Sequence, residues 1–130
     1  MGDDGRMFHV FASLEERRRF GGSAFIEIQY CRMEKGTPVD WIVSIDSIRN
    51  WEDDSLYIHG DDQMAFYDQY AAVLGWTTFM ETYGISYYSC EQTADIMDAV
   101  TRLKPIGYEM LIDWLEYAKE RYNGFYILGI

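Results

Sequence analysis

Hydrophobic and polar side chains alternate most regularly over Phe25–Arg32, where Ile26, Ile28 and Tyr30 share one face of an extended chain and Glu27, Gln29 and Cys31 the other. That period of two predicts a strand. Met7–Phe11 alternates more weakly and predicts another. After the turn signal Gly36-Thr37-Pro38, the β-branched run Val39–Ile45 predicts an antiparallel partner. Asp46–Asp54 is polar and irregular, and Leu56-Tyr57-Ile58 is a short strand closed by Gly60.

The period then lengthens to that of a helix. Ser13-Leu14-Glu15-Glu16 has the form of a capping box, with Gly21-Gly22 as a stop, which predicts a helix over 14–20. Asp61 or Asp62 can cap a second helix that runs to Leu74 and stops at Gly75, with Phe66, Tyr70, Val73 and Leu74 inward. Trp76–Ser89 alternates around Gly84 and predicts a hairpin, a helical continuation through Phe79 and Met80 being the other reading. Ser89-Cys90-Glu91-Gln92 is a second capping box, opening a helix with Ile96, Met97, Val100 and Leu103 inward until Pro105 breaks it. A last helix over 106–122 turns Met110, Leu111, Trp114, Leu115 and Ala118 inward and ends at Asn123-Gly124. The apolar tail from Phe125 is a buried strand, since so many such residues left loose would aggregate. Strands come early and helices late. The expected architecture is α+β, one domain over 1–130, a mostly antiparallel sheet with two or three helices packed on one face.

Charge changes the picture more than composition does. The chain carries 22 Asp and Glu against 11 Lys and Arg, a net charge of -11, on a body that is 48% apolar and 17% aromatic. The apolar share excludes a disordered acidic tail, and the charge disfavours contact with nucleic acid or a membrane surface while favouring basic partners. Arg17-Arg18-Arg19, the one basic run, cannot hold a duplex against that field. Two cysteines are too few for a disulfide framework, and no apolar run approaches a membrane span, so a cytoplasmic protein is expected.

The acids of the two late helices are spaced to share a face. Glu91, Asp95 and Asp98 make one stripe, and Glu109, Asp113, Glu116 and Glu120 make the other. Such stripes present carboxylates to a Lys- and Arg-lined groove, or they are solvated faces that keep an acidic protein dispersed. Glu52-Asp53-Asp54 with Asp61-Asp62 is dense but lacks the ligand alternation of an EF-hand loop, which points to surface turns. His9, Cys31, His59 and Cys90 could form a Cys₂His₂ zinc site only if the fold assembled them, because none is closely spaced with another. Tyr57, Tyr67, Tyr83, Tyr87, Tyr88, Tyr117 and Tyr122 either give part of their number to an interaction surface or fill the core with their hydroxyls reaching solvent. No Walker loop, Rossmann glycine pattern or nucleophile elbow is present, and no catalytic residue is assigned.

In size, acidity and lack of catalytic motif the chain resembles the small acidic anti-defence proteins of phages and mobile elements, chiefly anti-CRISPR proteins and DNA-mimicking antirestriction proteins. The resemblance is one of whole-chain composition and transfers no residue. It implies a non-enzymatic inhibitor that binds a basic nucleic-acid-handling protein, such as a Cas9-type nuclease or a restriction nuclease, and blocks nucleic-acid loading. A toxin-neutralising immunity protein and a small zinc-binding protein are the rival readings.

Overall fold

A computed structural model describes residues 6–21, 24–38 and 52–129. Its centre is a four-stranded antiparallel sheet of β1 (Phe25–Tyr30), β2 (Leu56–His59), β3 (Ile85–Tyr88) and β4 (Phe125–Leu128), in the order β2-β1-β4-β3. The late apolar strand is thus inserted beside the early alternating one, pairing Ile28 with Ile127 and Tyr30 with Phe125. The helices are α1 (Leu14–Gly21), α2 (Gln63–Leu74), α3 (Cys90–Leu103) and α4 (Tyr108–Arg121). The expected α+β architecture is the one observed. Val39–Ile45 lies outside the described residues; the neighbours of β1 are β2 and β4.

One sheet face is dry. Ile26, Ile28, Tyr30, Leu56, Ile58, Tyr88, Phe125 and Ile127 meet Phe66, Tyr70 and Leu74 of α2, Ile96 and Val100 of α3, and Leu111, Trp114, Leu115 and Ala118 of α4 in one cluster. Three helices therefore pack on this face, each through its apolar stripe. α1 belongs to the opposite face. It buries no residue of its own, and it sits there through Phe20 against the Phe25 and His59 rings and through the Arg17 guanidinium over Phe25 and Tyr57.

Local signals act much as their chemistry dictates. Ser89 accepts the Gln92 amide and Gln92 returns to the Ser89 amide, the full reciprocal box at the start of α3. At α1 the box is displaced by one residue. Ser13 accepts the Glu16 amide, but the Glu16 carboxylate reaches past it to Ala12 at 2.9 Å. Gly75 ends α2 in the left-handed conformation at φ 76°. Gly124 is required twice over: its φ is 85°, and an added Cβ would overlap the Tyr88 carbonyl.

Several expectations are corrected. Trp76–Ser89 is not a hairpin but a 3-10 turn, Phe79–Tyr83, followed by β3, which pairs with β4. Glu81 explains why, since its carboxylate accepts the Thr77 and Thr78 amides and winds the chain into a turn. Leu103 is 57% exposed rather than inward, because α3 ends there ahead of Pro105. Met7–Phe11 contributes only a bridge from His9 to Tyr57.

Candidate acidic interface

α3 and α4 pack along one another, joined by a loop in which Lys104 and Gly107 both take positive φ. At about 100° per residue, Glu91, Asp95 and Asp98 fall within an arc of about 60°. Buried Thr93, Ile96 and Val100 lie about 180° away on the same helix. The same arithmetic places Glu109, Asp113, Glu116 and Glu120 opposite buried Leu111, Trp114, Leu115 and Ala118. All seven acids are exposed, so both stripes face away from the sheet on one helical layer.

Cations interrupt the layer at its edges. Lys119 reaches Glu120 at 3.1 Å, and its ammonium proton is held more tightly than usual by that bond, helped by Glu116 and by Asp98 of the neighbouring helix. Asp113, Glu116, Tyr117, Glu120 and Arg121 line an open depression of about 550 Å³, where the Arg121 guanidinium lies 4.9 Å from the Tyr117 ring centre.

The Glu52–Asp54 cluster, expected as surface turn chemistry, lies against α4, which no pattern in the sequence signalled. Trp114 turns its indole N–H to the Asp54 carbonyl at 2.8 Å, which fastens the Glu52–Asp54 turn to α4. Trp114 and Tyr122 stack on Tyr30 at 4.0 and 4.3 Å, and Arg32 spans from the Tyr122 ring to the Asp54 carboxylate. Burial first, then Asp54, Tyr122 and Tyr117, push the Tyr30 hydroxyl pKa up. Sixty residues separate Asp54 from Trp114, and no local pattern signals their contact.

Beneath the other face lies a buried carboxylate that alternation alone left on an unspecified surface. Glu27 is 3% exposed, and its Oε2 accepts Ser55 Oγ at 2.7 Å, Gln29 Nε2 at 3.1 Å and the Glu52 amide at 3.1 Å. The Tyr57 hydroxyl stands 3.2 Å away but gives its single proton to the nearer Glu52 carbonyl at 2.7 Å. Burial outweighs these bonds and raises the Glu27 pKa. Glu27 thus anchors the Glu52 end of the acidic turn from inside.

The four potential zinc ligands do not gather. His59 spends both ring nitrogens, one on the Gly21 carbonyl and one on the Asp61 amide, while Cys31 lies against the Tyr126 hydroxyl and Cys90 against the Tyr122 carbonyl. Among the described residues, the group whose ligand atoms converge within 4.8 Å is Glu52, Asp53 and Asp54. Of the seven singled-out tyrosines, Tyr83 and Tyr117 are exposed and the rest are packed or half-buried. Among the described residues, no helix is long and apolar enough to cross a membrane. Comparison with family models, curated proteins and solved structures finds no match for the chain.

Proposed function

We propose that the chain is a non-enzymatic binding protein whose α3–α4 layer, extended by the Glu52–Asp54 turn, docks on a basic surface of a nucleic-acid-handling protein and blocks nucleic-acid loading. The observation that carries this reading is the outward orientation of all seven stripe acids on two adjoining helices, with the acidic Glu52–Asp54 turn bonded to the inner side of α4. Like charges at helical spacing cost each helix a few tenths of a kcal/mol per pair, and a cationic partner relieves that repulsion on contact. Among the described residues, Asp113, Glu116 and Glu120 line an open depression, a form that suits docking better than catalysis.

The test is binding to purified Cas9-type and restriction nucleases over a salt series, with the chain and with a variant carrying Glu109→Gln, Asp113→Asn, Glu116→Gln and Glu120→Gln together. Affinity is expected to fall with salt and to drop at least about tenfold in the variant, or about 1.4 kcal/mol. Because these acids are exposed and repel one another, the variant keeps the fold, with a thermal midpoint at or slightly above the parent's. A complex indifferent both to salt and to the four substitutions overturns the reading, as does failure of every such nuclease to bind.

A further inference from the structure

The two edges of the sheet are finished differently. At the β2 edge, His9 exchanges both backbone bonds with Tyr57, at 2.9 and 2.8 Å, and so covers the outward groups at mid-strand. At the β3 edge nothing comparable is present among the described residues. The Gly129 amide donates to the Gly84 carbonyl at 2.8 Å, so by antiparallel alternation Ser86 and Tyr88 bond inward to Ile127 and Phe125. The N–H and C=O groups of Ile85 and Tyr87 therefore point outward, away from β4.

We propose that this edge pairs with the same edge of a second copy, antiparallel β3 on β3, joining two sheets into one. A twofold axis at Ser86 sets Ile85 of one copy opposite Tyr87 of the other, and the four outward groups of each strand then meet their own complement. Side chains support the match. Ile85 is 58% exposed on the edge, and Met80 and Tyr83, just before it, are 70% and 48% exposed.

Charge selects the occupant. Residues 76–89 hold a single charged side chain, Glu81, in a chain of net charge -11, and the Glu81 carboxylate is already engaged by the Thr77 and Thr78 amides. At the α3–α4 layer two copies bring dense acids together, whereas here they approach through backbone and apolar groups. The charged or proline residues that ordinarily blunt an exposed edge are absent from Ile85–Tyr88. A short strand gives a weak, reversible dimer, and salt strengthens it by screening the charge on each copy. That sign is opposite to the one expected for the acidic layer, so the two proposals stand or fall separately.

Sedimentation velocity from about ten micromolar to about one millimolar chain tests the pairing. The average mass is expected to climb from one chain towards two, and to do so at lower concentration in high salt. Ile85→Pro removes an outward N–H without touching the β4 ladder, and extended Gly84 before it suits a proline; Ile85→Asp adds a charge at an exposed position. Each variant should raise the dimer dissociation constant at least about tenfold while keeping the parent's thermal midpoint. A chain that stays single throughout overturns the proposal. So does association that salt weakens, or that folded Ile85→Pro and Ile85→Asp leave unchanged.

Discussion

The two faces of the sheet are both buried at β1, by different chemistry. Every residue of β1 is buried, yet Ile26, Ile28 and Tyr30 meet helices through carbon, whereas Glu27 and Gln29 meet hydroxyls and amides. On the helix face shape complementarity supplies the stability, and any missing volume leaves a hole. On the other face Glu27 and Gln29 are tolerable because their partners are in place, so loss of one partner strands the remainder. Burial alone therefore does not tell a core from a network.

Truncation on the dry face separates the two most sharply. Leu115, fully buried between α4 and the sheet, should lose about 2–5 kcal/mol on Leu115→Ala, read as a shift of the denaturant midpoint. A loss well under 1 kcal/mol would mean that the helical layer is not closely packed there.

A smaller effect, about 1–3 kcal/mol, is expected of Glu27→Ala, which leaves Ser55, Gln29 and the Glu52 amide without their acceptor. Glu27 also makes the contrast pH-dependent. Burial holds its pKa above the ordinary value, so the folded chain retains a proton that the unfolded chain releases. The stabilisation tied to that proton is complete below about pH 4.3 and is lost as pH rises through the folded value. Thermal midpoints of the parent and Glu27→Gln, compared between about pH 4 and 7, should show the parent losing ground as pH rises. Parallel profiles would mean that the carboxyl is ionised in the fold at no penalty.

The smallest change concerns α1. Its guanidinium lies 5.2 Å from the Phe25 ring centre and 5.3 Å from that of Tyr57, so Arg17→Ala should cost about 0.5–1 kcal/mol in a chemical melt. No measurable loss would assign the seating of α1 to Phe20 and to the bond between His59 and the Gly21 carbonyl.

Much of the secondary structure was legible because its signals are local. The Ser89–Gln92 box, the Gly75 stop, Pro105 and the spacing of Leu111, Trp114, Leu115 and Ala118 each act within a turn or two of the chain. The outward orientation of the seven acids was legible for the same reason, since it is the complement of the buried stripe. The Trp76–Ser89 hairpin failed because alternation there competes with the Glu81 carboxylate, whose bonds to two amides wind a turn.

The sequence by itself determined which stretches are helices, which face each turns inward, and that an acidic surface wraps an apolar body, because periodicity and charge are properties of neighbours along the chain. Only the tertiary structure decided that β4 enters between β1 and β3, that the Glu52–Asp54 turn lies beside α4, and that Glu27 is buried. Each of these joins residues far apart in sequence, and their meeting is set by how the whole core closes rather than by any local preference.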